Sequence, residues 1–317
     1  MNYSNQNFES THLDIEYIED FPKYFDELNY FIKGTDNAYN NLLVETCKEF
    51  NLDIFAPWQL QYAIHQYENR LQKYNDKFLV SNIIPLLLKT FKDLGFDFKE
   101  DDIYVTTTGF IDNISEVTKY KIIFYFNQDK GIKQYGRYYD IGNVDLKLPG
   151  KIEVNLWDKG IESYGIVFHE FGHAIHFLNI TNYKYQLLRT NFPTYFSEGL
   201  AKIIESVVFD SDWIHRNWDI DKNGVDEIIK AKAILELFTL RINAFLALFE
   251  ISSYDLKDSP VNLWKYLSKN ILYPQVDLKD LFIEQRAVLD NLFHNRYSAF
   301  DTVYAILIRE HLKNFFK

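Results

Sequence analysis

What most constrains the fold of this chain is a change in the spacing of its apolar residues. Up to about Leu94 they recur at helical intervals, in Asn37–Phe50, Pro57–Lys73 and Phe78–Leu94, and Pro57 suits the first turn of its helix. From about Asp102 the texture becomes that of short strands. Ile103–Phe110, Tyr120–Asn127, Ile132–Ile141 and Lys151–Trp157 are rich in β-branched and aromatic residues and are separated by Asp, Asn, Gly and Pro. Helical spacing then resumes in Ile161–Leu178, Tyr195–Phe209, Asp226–Ile251, Asn262–Asn270, Leu278–His294 and Tyr297–Phe315. Helices, a small sheet, then helices predict a mainly α fold with a small β-sheet, of the α+β class, and exclude the alternation of a doubly wound parallel sheet. No repeat, low-complexity linker or Pro/Gly-rich seam divides the 317 residues, so one compact unit is expected.

One helical segment carries chemistry. In Phe168-His169-Glu170-Phe171-Gly172-His173-Ala174-Ile175-His176, His169 and His173 are four residues apart and share one helix face. Two imidazoles so placed can bind one zinc ion, at about 2.0–2.1 Å per bond. Glu170 stands beside the first of them, where its carboxylate can take a proton from the attacking water and return it to a leaving amine. A catalytic zinc needs a third protein ligand. A metzincin would place a histidine six residues after His173, where this chain has Asn179, and His176 is too near along the helix. A carboxylate from a second helix fits better. Glu198 and Glu205, seven apart in Ser197–Glu205, lie on one face after two turns, Glu198 as the ligand and Glu205 as the group that orients a histidine. The preceding strand, Lys151–Trp157, is expected to hold an extended peptide by backbone pairing.

These residues resemble those of the thimet oligopeptidase and oligoendopeptidase F metallopeptidases. His-Glu-Phe-Gly-His-Ala-x-His is the form that family's zinc helix takes, its third ligand is a glutamate 25 residues after the second histidine, as Glu198 is after His173, and a further glutamate follows where Glu205 stands. Pro57-Trp58-Gln59-Leu60-Gln61-Tyr62 is similar to the family's Pro-Trp-Asp-x-x-Tyr element. The resemblance implies a zincin-like core with helical lobes around a cleft, spanning 51–317 behind a helical N-terminal part at 1–50. It implies one Zn2+ and a peptide substrate. It also implies that His294, Tyr297 and Tyr304 bind the substrate carbonyl and stabilise the oxyanion. The chain departs from the family in being much shorter, in Gln59 for the aspartate, in Ser197-Glu198-Gly199-Leu200-Ala201-Lys202 for Val-Glu-x-Pro-Ser-Gln, and in Asp301 for an aromatic residue.

The remaining signals mostly exclude. A net charge of −11 with no long Lys/Arg run argues against a nucleic-acid partner. The single cysteine, Cys47, excludes an intramolecular disulfide and thiolate zinc sites. The apolar runs Ile83–Leu88 and Ala244–Ile251 are too short to span a bilayer, and Met1–Asp20 lacks a signal-peptide core, so no membrane association and a cytoplasmic location are expected. Asp219-Ile220-Asp221-Lys222-Asn223-Gly224 resembles half of a calcium loop, but Lys230 stands where the closing glutamate belongs, and a polar turn is the expected reading. The expected activity is a zinc-dependent peptidase. The alternatives are a hydrolase specialised for one protein or modified peptide, and a zinc-containing binding protein without turnover. The sequence carries no signal for the oligomeric state.

Overall fold

The computed structural model describes residues 21–96, 99–107, 120–127, 135–139, 150–156, 160–179, 194–253 and 259–277. Among these it is mainly helical with one four-stranded mixed sheet, the α+β class that the apolar spacing predicts. The helices are α1 (Phe21–Glu49), α2 (Pro57–Gln72), α3 (Ile83–Asp93), α4 (Ile161–Leu178), α5 (Thr194–Val208), α6 (Ser211–Asn217), α7 (Lys222–Ser253) and α8 (Pro260–Ile271). The strands are β1 (Ile103–Thr106), β2 (Ile122–Asn127), β3 (Tyr135–Tyr139) and β4 (Gly150–Asn155). No helix among the described residues is long and apolar enough to cross a membrane.

By their contacts the described residues group into two units. One comprises the described parts of Met1–Leu60 and Thr239–Ala299, the other those of Gln61–Phe238. Their boundaries fall inside α2 and α7, not in linkers, and this is why no change of composition marks them.

In the first unit, Arg241 on α7 is only 2% exposed and organises its neighbours. It donates to the Ile32 and Ile271 carbonyls, to Thr35 Oγ1 and to Asp36 Oδ1 at 2.8–3.2 Å, and its guanidinium lies 4.6 Å from the centre of the Tyr39 ring. These contacts hold the stretch of α1 just before Asn37, where the apolar spacing places the start of the helix but the structure continues it back to Phe21. The Ile271 carbonyl lies at the end of α8, where helix geometry supplies no partner within the helix.

In the second unit the sheet has the order β1-β2-β4-β3. β1, β2 and β4 run parallel, and β3 pairs antiparallel with β4, Gly136 opposite Val154 and Tyr138 opposite Ile152. Ile122, Phe124, Ile152 and Val154 on one face pack against Tyr164, Val167, Phe168 and Phe171 of α4. Leu87 and Phe91 of α3 and Trp213 of α6 complete this core, with Phe91 and Phe171 edge to face at 4.7 Å. Each such ring contributes roughly 1.5–3 kcal/mol by leaving water. Trp213 satisfies its buried indole N–H on Thr90 Oγ1 at 2.9 Å.

Two sequence signals acquire local explanations. Phe78–Leu94 splits into a short 3-10 turn and α3, because Pro85 is tolerated only in a helix's first turn. The calcium-like stretch is a helix start: Asp221 Oδ1 accepts from Gly224 N at 2.7 Å, which caps α7.

Candidate metal centre

The site grows from the close approach of α4 and α5. A Cβ on Gly172 would lie 2.7 Å from the Cα of Ala201, so these helices touch backbone to backbone at a position only glycine permits. One turn to either side, the faces of α4 and α5 present their polar residues to each other. His169 Nε2 lies 3.1 Å from Glu198 Oε2, and His173 Nε2 lies 3.3 Å from Glu198 Oε1. The two imidazole rings stand nearly perpendicular, at 83° with centres 4.9 Å apart.

One atom each from His169, His173 and Glu198 fall within 4.8 Å of one another, a group that could hold a metal ion. Two imidazole nitrogens and a carboxylate are a donor set for a divalent ion of intermediate softness, and three protein ligands leave a coordination position open. The group opens onto a depression of about 450 Å³, lined also by Gly136, Arg137, Tyr138, Glu170, Phe177 and Ser197.

Surrounding groups orient the candidate ligands. Glu205 Oε2 lies 3.1 Å from His169 Nδ1; a carboxylate only accepts here, so Nδ1 carries the hydrogen and Nε2 is the atom left for a metal. Ser197 Oγ lies 2.9 Å from His173 Nδ1 and 3.3 Å from His176 Nδ1. Were His173 to bind a metal through Nε2, Ser197 would accept from Nδ1–H and turn its own hydrogen to His176. Burial pushes His176 toward its neutral form, which suits it as the acceptor.

The charges are strongly perturbed. Burial opposes a charge on His169, but Glu198 and Glu205 outweigh it and raise the imidazole to about 9. Burial would also raise Glu198, yet the two histidines hold its carboxyl well below the usual range. Glu170 behaves differently. It is 7% exposed, and burial pushes its carboxyl up against the pull of His169 and His173. Its carboxylate also accepts from the Tyr138 backbone N–H of β3. A Cβ on Gly136 would lie 2.7 Å from Glu170 Cγ, so the glycine lets β3 approach this group.

The structure thus brings together His169, Glu170, His173, Glu198 and Glu205. His294, Tyr297 and Tyr304 lie outside the described residues. The expected peptide-binding strand requires correction. β4, the strand of Lys151–Trp157, is paired on both sides by β2 and β3 and offers no edge. The strand at the site is β3, which among the described residues pairs only with β4. Sequence reasoning also missed Ser197, Lys202, Lys232 and Gly136. The i,i+3 spacing of Lys202 and Glu205 could have revealed one of them; Lys232 comes from α7, with no spacing signal at all. No protein-family model and no curated protein matches this sequence.

Proposed function

We propose that this chain is a zinc-dependent peptidase of the thimet oligopeptidase and oligoendopeptidase F type, with a zincin-like core. The observation that carries the proposal is the convergence of His169, His173 and Glu198 beside a buried carboxylate, Glu170, that is not one of the ligands. A site that only stored metal would have no use for that fourth group.

His169, His173 and Glu198 would hold the ion, with Glu205 and Ser197 fixing the two imidazoles. Zinc, when bound, supplies Lewis-acid activation of water and of a scissile carbonyl. Glu170 accepts the proton of the attacking water and delivers it to the departing amine nitrogen. Burial raises its carboxyl above the ordinary range, which makes the carboxylate a stronger proton acceptor than an exposed glutamate. β3, which among the described residues pairs only with β4, would be the strand along which an extended peptide lies, and the stacked rings of Tyr138 and Phe177, 5.4 Å apart, form one wall of the depression. The resemblance assigns oxyanion stabilisation to Tyr297 and Tyr304, with His294 beside them. A cytoplasmic setting belongs to the same proposal and is supported by the single cysteine.

The test is metal analysis of the purified protein together with cleavage of a mixed peptide library, with and without chelator. One zinc per chain and cleavage that chelator abolishes and zinc restores support the proposal. Full zinc occupancy with no cleavage of any peptide would assign the chain to metal-holding proteins without turnover.

A further inference from the structure

Behind His169 lies a group of charges that the ligand set does not use. Glu205 is buried on α5 and meets three partners. Its Oε2 lies 3.1 Å from His169 Nδ1 and 2.6 Å from Lys202 Nζ, and its Oε1 lies 3.1 Å from Lys232 Nζ. We infer that Lys232 is a positioning residue for the metal ligand His169, acting through the carboxylate of Glu205; the inference rests on His169 being a ligand.

Two ammonium groups on one carboxylate exceed what neutralisation needs. Lys202 alone, at 2.6 Å, balances Glu205, and a second cation stands behind a centre that is to receive a dication. Burial disfavours that charge, and Glu205, Glu236 and Glu162 together outweigh it; what is left to assign is its role. Geometry supplies it. Lys202 shares the oxygen that faces His169, and a carboxylate held at that oxygen alone can turn about its terminal bond. Lys232 holds the other oxygen, which fixes the carboxylate plane and with it the imidazole that Oε2 orients.

The setting of Lys232 is built for a fixed group. Its side chain is 19% exposed against 34% for Lys202. It reaches Glu205 from a third helix, α7, and its Nζ stands 4.4 Å from the centre of the Phe209 ring. That ring is seated where a Cβ on Gly165 of α4 would come within 3.2 Å of it. Glu236 lies further from Lys232, at 3.7 Å, and Glu162 also adds to the negative field at its ammonium.

The test is a double-mutant cycle read in zinc affinity, by chelator competition, and in the imidazole N–H resonances of the zinc-loaded protein. Lys232→Met should weaken zinc binding about 10-fold, the lower end of what outer partners of metal ligands contribute. It should shift the His169 Nδ1–H resonance and leave that of His173 in place, while Lys232→Arg restores both. In a Glu205→Gln background, Lys232→Met should produce no further loss. A full loss in that background, or unchanged affinity and an unmoved His169 resonance in the single variant, would overturn the inference. Should Lys232→Met fold poorly, Lys232→Gln runs through the same cycle. Wild-type protein that binds no zinc would overturn the metal reading itself, a different result from intact wild-type binding with an inert Lys232.

Discussion

At the scale of residues, the account separates groups that hold the metal from a group that moves a proton. Glu170→Gln should keep one zinc per chain and lower the cleavage rate by about 10²- to 10⁴-fold, read as kcat on a peptide cut by the wild type. Glu198→Ala should remove stoichiometric zinc. Glu205→Ala should weaken zinc about 10- to 100-fold and leave the site able to fill at high metal concentration, which competitive chelation measures. The pH dependence follows from His169. In the metal-free protein the imidazolium sits between two carboxylates, Glu198 at Nε2 and Glu205 at Nδ1, so its contribution to stability is complete below its ordinary pKa of about 6.5 and is lost as pH rises through about 9. Zinc competes for the same nitrogen. Zinc affinity should therefore climb about tenfold per pH unit over that window for the one proton displaced, and His169→Ala should flatten the profile in whatever binding remains. His169 and His173 were legible as a pair because helix geometry converts their spacing into a shared face; Glu170 followed from its place beside them, and Glu198 from the 25-residue step that the resemblance supplies. Ser197 was not, although it adjoins Glu198, because its role depends on where two imidazoles of another helix arrive.

At the scale of elements, one contact places the ligands: Gly172 of α4 against Ala201 of α5. Gly172→Ala should cost about 1–3 kcal/mol in denaturant unfolding, because the added methyl meets backbone, and it should weaken zinc by moving Glu198 away from the histidines. The helix carrying His169 and His173 was read with its observed bounds, Ile161–Leu178, from periodicity alone. α1 was not, since its residues Ile32 and Asp36 are held by Arg241 from a distant helix; removing these contacts with Arg241→Met should destabilise the protein by about 3 kcal/mol. Strand existence was legible and strand order was not. Nothing in the alternation of Lys151–Trp157 says that β3 lies outside β4, because order in a sheet is set by connections and not by composition.

At the scale of the whole molecule, the fold class was legible and the division into two units was not, for a physical reason. Each unit's core draws on residues whose apolar spacing runs unbroken through α2 or α7, so the sequence looks continuous where the contacts divide. The candidate metal centre lies wholly within the unit built from Gln61–Phe238, on α4 and α5 and beside β3. The acidic balance of the chain, −11, bears on solubility and on partners and not on the chemistry at the site. The most direct test of the central claim is a mass-spectrometric cleavage profile of one peptide library by wild-type and Glu170→Gln proteins, both adjusted to one zinc per chain. The account predicts internal peptide-bond cleavage by the wild type and none above background by the variant. Equal cleavage by the two proteins would contradict it.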